Sequence, residues 1–166
     1  MDVRTTGVGR GLSPPRLSSA PSIGACGGEE CVRLESTGLT EWWISRDDGF
    51  EQGWTLPSRP TGAGELTVNL AIPGEVSLEG LAARIRTSAG ESWGVSGLRA
   101  WDADQKALPS WFEATYAGLR IVVEDAGARY PVQIDPMYSE PDYVLNAGTD
   151  YIVAGGGDVN GDGYVD

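Results

Sequence analysis

Residues 64–73 read GELTVNLAIP. Leu66, Val68 and Leu70 recur at every second position, with Thr67 and Asn69 between them, and Pro73 closes the run. Period two places the three apolar side chains on one face of an extended chain, whereas a helix would spread them around its axis. The segment predicts a half-buried strand. Working outward, EWWISRDDGFEQGWTLPSRP (41–60) alternates aromatic and polar residues about a turn at Asp47, Asp48 and Gly49. SGLRAWDADQKALPSWFEAT (96–115) reads as a hairpin turning at Asp102, Ala103, Asp104 and Gln105. GLRIVVEDAG (118–127) and YPVQIDP (130–136) are two further short strands. VSLEGLAARIRTSAG (76–90) fits either a strand pair or a short helical turn. Turn signals every eight to twelve residues point to an all-β sandwich or barrel.

The expected organisation is a disordered Gly/Ser/Pro-rich segment over 1–31, a β-sandwich-like domain over 32–136, a linker over 137–149 and a final piece over 150–166. Six tryptophans, Trp42, Trp43, Trp54, Trp93, Trp101 and Trp111, fall within the sandwich. They could form a stacking platform for sugars. Their positions within strands favour the other reading, that they fill the core with each N–H satisfied by a partner.

The net charge is −12, from 12 basic and 24 acidic residues. Such a surface repels nucleic acid and anionic lipid. Acid concentrates toward the end of the chain: residues 124–166 hold nine acidic residues and one basic, Arg129. Histidine is absent, which removes the usual general base and the Ser-His-Asp arrangement. Zinc wants about four ligands, and Cys26 and Cys31 are the only cysteines. They either close a small disulfide loop or stand as two thiols in a disordered stretch. No run approaches the ~20 apolar residues of a membrane-spanning helix, and the first thirty residues lack the apolar core of a signal peptide. An enzyme would need a facing carboxylate pair, as in glycoside hydrolysis. Glu113, Glu124 and Asp125 are available, but no motif pairs them, and the protein is expected not to be an enzyme.

The last sixteen residues, YIVAGGGDVNGDGYVD (151–166), carry the sharpest chemistry. Asp158, Asn160 and Asp162 supply oxygen at alternate positions, and Gly161 and Gly163 allow the chain to turn around an ion. Tyr164 adds a backbone carbonyl, and Asp166 closes the shell directly or through water. Calcium takes six to eight oxygen ligands in a flexible shell, and the pattern D-x-N-x-D-G matches the start of an EF-hand loop. Asn, Asp and Gly also favour turns that bind nothing.

This tail resembles the FG-GAP repeat, an integrin-α-like blade of a β-propeller. The resemblance puts Asp158, Asn160, Asp162, Tyr164 and Asp166 on calcium-ligand positions. It implies a chain cut inside its first repeat and continuing into others, with Met1 not assured as the true start. TEWWISRDDGFEQGWTLPSRPTGAGELTVNLAI (40–72), GLRAWDADQKALPS (97–110) and VEDAGARYPVQIDP (123–136) look like the segment that precedes FG-GAP repeats in large bacterial exported proteins. Gln105 stands where that hairpin commonly has Gly. What the resemblance implies is a non-enzymatic, calcium-binding adhesion or interaction protein, secreted or at the cell surface, with a protein or carbohydrate ligand. GDVNGDGYVD also resembles the start of a dockerin loop, which would make the β domain the cargo of a calcium-dependent binding module.

Overall fold

The computed structural model describes residues 2–11, 21–26, 28–36, 38–47 and 49–139. Among them every regular element is a strand. In chain order these are β1 (Arg4–Arg10), β2 (Pro21–Cys26), β3 (Glu29–Ser36), β4 (Leu39–Arg46), β5 (Gly49–Leu56) and β6 (Leu66–Ala71). There follow β7 (Glu75–Glu79), β8 (Ala82–Arg86), β9 (Ser92–Trp101), β10 (Ser110–Thr115), β11 (Gly118–Val123) and β12 (Val132–Ser139). No helix among the described residues is long and apolar enough to cross a membrane.

The strands form two antiparallel sheets of unequal size. The smaller runs β1-β6-β11-β10, and the larger runs β2-β3-β4-β5-β12-β9-β8-β7. Their facing sides make the core. Val8, Leu66, Val68, Leu70, Leu119, Ile121 and Val123 come from the small sheet, and Trp54, Leu56, Ile85, Val95, Val132, Ile134 and Tyr138 from the large one. Phe50 stacks on Tyr138 at 4.7 Å between centroids. The alternation expected for 64–73 is met: Leu66, Val68 and Leu70 are at most 1 % exposed.

A buried polar node ties the sheets together. Glu41 accepts hydrogen bonds from the Thr5 hydroxyl at 2.9 Å, Trp43 Nε1 at 3.1 Å and Gln52 Nε2 at 2.7 Å. Trp54 Nε1 donates to the Thr5 hydroxyl at 3.1 Å. A buried carboxylate is tolerated only when hydrogen-bonded in this way. The polar residues of the EWW and EQGW stretches therefore anchor the small sheet's edge strand.

Three expectations are corrected, and one reading left open is decided. The segment 1–31 is not wholly disordered, because β1 pairs with β6 along its length and β2 with β3. RTTGVGR has one large apolar residue, so its composition reads as unstructured; the β6 ladder supplies the order instead. Arg10 then locks it. Only 4 % exposed, its side chain pairs with Asp125 and donates to the carbonyls of Pro60 at 3.0 Å and Gly64 at 2.5 Å. The sandwich thus begins before residue 32.

Second, the two arms of 96–115 do not pair as one hairpin: β9 lies in the large sheet and β10 in the small one. The turn closes through the Trp101–Ala107 bridge and a bond from the Leu108 N–H to the Ala100 carbonyl at 2.8 Å. Pro109 then has no N–H to continue the ladder, and the chain crosses over. Third, β12 extends to Ser139, so 137–139 belong to the domain and not to the linker. Of the two readings open for 76–90, the strand pair holds: it is β7–β8, turning at Gly80 with φ +62°.

Candidate functional site

All five calcium-ligand candidates, Asp158, Asn160, Asp162, Tyr164 and Asp166, lie outside the described residues. Their chemistry alone speaks to the metal. Three carboxylates, an amide and a backbone carbonyl are hard oxygen donors, which suit calcium and not a thiophilic ion. Among the described residues no group of three or more His, Cys, Asp or Glu side chains could hold a metal.

The described domain carries a second candidate on the outer face of the large sheet, the face turned away from the core. Register defines it. Arg33 pairs with Trp42, Trp42 with Gly53, and Asp135 with Arg99; the β5–β12 register sets Gly53 opposite Asp135. Paired residues share a face, so Arg33, Trp42, Gly53, Asp135 and Arg99 form one row across five strands. The next row is Glu35, Thr40, Thr55, Gln133 and Trp101. Beyond the first row on its other side lie Ile44, Glu51 and Met137.

Gly53 shapes this surface. A Cβ there would sit 2.0 Å from Trp42 Cζ2 and 2.4 Å from Cε2, so the indole lies directly over the glycine backbone. Trp42 is 9 % exposed and packs with Cys31 and Ile44. Cys26 and Cys31 are joined in a disulfide that borders the same patch. Between Trp42 and Trp101 runs a groove of about 340 Å³, bordered also by Thr55, Gln133 and Asp135.

The charges along the groove are largely satisfied by one another. Arg46 donates to Glu29 at 2.9 and 2.8 Å and to Glu51 at 2.9 Å. These bonds raise the Arg46 pKa and lower that of Glu29. Arg33 pairs with Glu35, and Thr40 also donates to Glu35 at 2.7 Å. Asp135 differs. Among the described residues its side chain's only polar partner is Arg99 at 3.5 Å, and that side chain is 11 % exposed. Burial, reinforced by the nearby Glu51 charge, pushes its pKa up to about 6 against the pull of Arg99 and Arg46.

Of the other residues singled out in the sequence, Glu124 is exposed and the rest are already engaged. Asp125 is buried against Arg10 and Tyr130, and Glu113 bonds Trp111 and Arg120 at 3.3 Å each. Asp102, in the predicted turn, accepts backbone N–H bonds from Asp104, Lys106 and Arg129. Desolvation pushes its pKa up, but those three donors outweigh it and hold it low. Of the tryptophans, Trp54 is fully buried and Trp42 nearly so, and the other four are half-buried. Gln133 and Asp135 were missed as site residues. Their signal was the alternation in VQID, with Val132 and Ile134 inward and Gln133 and Asp135 outward.

No protein-family model matches the chain, and no curated protein or solved structure matches it.

Proposed function

We propose that the protein is a non-enzymatic, calcium-binding adhesion or interaction protein that works outside the cell or at its surface. In this reading a β-sandwich stands in front of an FG-GAP propeller, and residues 150–166 begin the first blade. The observation that carries it is the Cys26–Cys31 disulfide. Disulfides persist in oxidising compartments and are rare in the cytosol, and extracellular calcium is abundant enough for a weak loop. The hard-oxygen donor set of 158–166 supports the same reading from the sequence side.

Calcium would bind the folded loop and not the unfolded chain, and so would stabilise by mass action. Sites of this extracellular kind fall at roughly 10⁻⁴–10⁻³ M. Calorimetry on the whole chain tests it: calcium should give a saturable signal in that range. Asp162→Ala, which deletes the central carboxylate, should abolish the signal. Retention of the full enthalpy by that variant would refute the ligand set. The absence of any signal from the parent chain would refute calcium binding by this chain.

A further inference from the structure

We propose that the groove between Trp42 and Trp101 binds a neutral carbohydrate chain. The inference does not depend on calcium, since none of its residues belongs to the 158–166 loop.

The argument rests on which polar groups are spoken for. The charged side chains bordering the groove mostly pair with each other, as the Glu29–Arg46–Glu51 chain and the Arg33–Glu35 pair show. Of the uncharged ones Thr40 is engaged, donating to Glu35, and four others are not. Among the described residues, the side chains of Thr55, Gln133, Trp42 and Trp101 carry no hydrogen bond, yet none of their polar atoms is shut away from solvent. The four share one face within two adjacent rows. Trp42 lies across Gly53 on the outer face and borders the groove, so its Nε1 belongs to that face and not to the core.

Together they offer two indole donors, a hydroxyl and an amide that both donate and accept, and the weakly held Asp135 carboxyl as an acceptor. A ligand that matches must present many groups able both to donate and to accept. Sugar hydroxyls do so. The half-buried Trp101 ring adds an apolar face for a sugar ring, while Trp42 contributes its polar edge. The groove's size falls at the lower end of the ~300–1,000 Å³ usual for ligand sites. An anionic ligand would find Arg46 and Arg33 already paired with Glu29, Glu51 and Glu35, and the unpartnered Arg33 Nε is shut away from solvent; a basic one would have to compete with Arg46 and Arg99. Charge complementarity therefore favours a neutral partner.

The test is affinity electrophoresis of the full chain through gels holding a β-glucan, a galactomannan, an arabinoxylan or a dextran, each with calcium and with EGTA. Polygalacturonate serves as the anionic comparison. At least one neutral polysaccharide should retard the protein equally in both buffers. Trp101→Ala should weaken retardation roughly tenfold or more, and Gln133→Ala severalfold, with thermal melting showing that both variants fold. Trp111→Ala, on the opposite sheet, should leave it unchanged. If no neutral polysaccharide retards the parent chain, or retardation survives both groove variants, the proposal is wrong. Retardation by polygalacturonate alone would also overturn it, in favour of an anion site. Retardation lost in EGTA would assign the effect to the calcium loop instead.

Discussion

Replacing Arg10 with Met asks whether the first ten residues are part of the domain. The Arg10 side chain is 4 % exposed and that of its partner Asp125 2 %. Met keeps much of the apolar stem but removes the charge and the bonds to Asp125, Pro60 and Gly64. Asp125 would keep the Tyr130 hydroxyl and a contact from Arg59 at 3.5 Å. Breaking a buried pair from one side costs about 3–5 kcal/mol, since a charge is left behind in low dielectric. Arg59 is 48 % exposed and can swing inward, so the lower end, about 3 kcal/mol, is the expected loss. That is a large part of the roughly 5–15 kcal/mol that stabilises a domain. Urea denaturation followed by tryptophan fluorescence should show a fallen midpoint with an unchanged slope. Adding Asp125→Leu should recover part of the loss, because the orphaned charge then disappears. A loss below about 1 kcal/mol, which is the range of exposed pairs, would mean that β1 is not integral and that 1–31 behaves as its composition suggests. A double variant no better than Arg10→Met would show that the charge is not the source of the cost.

Asp135 has a folded pKa of about 6, above the ~3.9 of an unfolded aspartate. The contribution tied to its protonated form is complete below about pH 4 and is lost as pH rises through 6; by that displacement it amounts to as much as about 3 kcal/mol. Asp135→Asn should flatten the decline in stability between pH 4 and 7, and an identical slope in the variant would remove Asp135 as its cause. Gln105 holds φ +61°, a left-handed conformation costly for a residue with a Cβ. Gln105→Gly should therefore be neutral or stabilising by up to about 1 kcal/mol despite the greater freedom of its unfolded chain, read as a small rise in Tm; a clear fall would show that the side chain matters. Reducing the Cys26–Cys31 disulfide, which closes a loop of about six residues, should cost about 2 kcal/mol, measured by melting with and without a reductant; no shift would mean that the hairpin is held by its ladder alone.

The strands were legible wherever alternation was clean. Leu66, Val68 and Leu70 announce their face directly, as do Leu119, Ile121 and Val123. What was not legible is partnership. Nothing local in RTTGVGR says that β6 will pair with it, because the bonds that order it come from a strand some sixty residues away. The same holds for 96–115, where a good turn suggested two paired arms and Pro109 sent the second to the other sheet. The turn itself was read correctly, and Asp102 explains why: one buried carboxylate gathers two N–H groups from its own turn and a third from Arg129, in the connection between β11 and β12.

The groove was hidden for a related reason. Trp42 and Trp43 are adjacent on β4, and neighbouring side chains on a strand point to opposite faces. One of them had to leave the core between the sheets, so assigning all the tryptophans to that core could not hold. Trp43 turns inward and donates to Glu41. Trp42 turns outward and covers itself by lying across Gly53, a position that any side chain would block. That glycine sits in EQGW between two inward residues, Gln52 and Trp54. Its role becomes visible only once the β4–β5 register places it opposite Trp42. The outward row then continues through Asp135 to Arg99, and the row beside it through Thr55 and Gln133 to Trp101. A recognition surface of this kind is a property of register. Its residues come from strands distributed along the chain, and no short motif contains more than two or three of them.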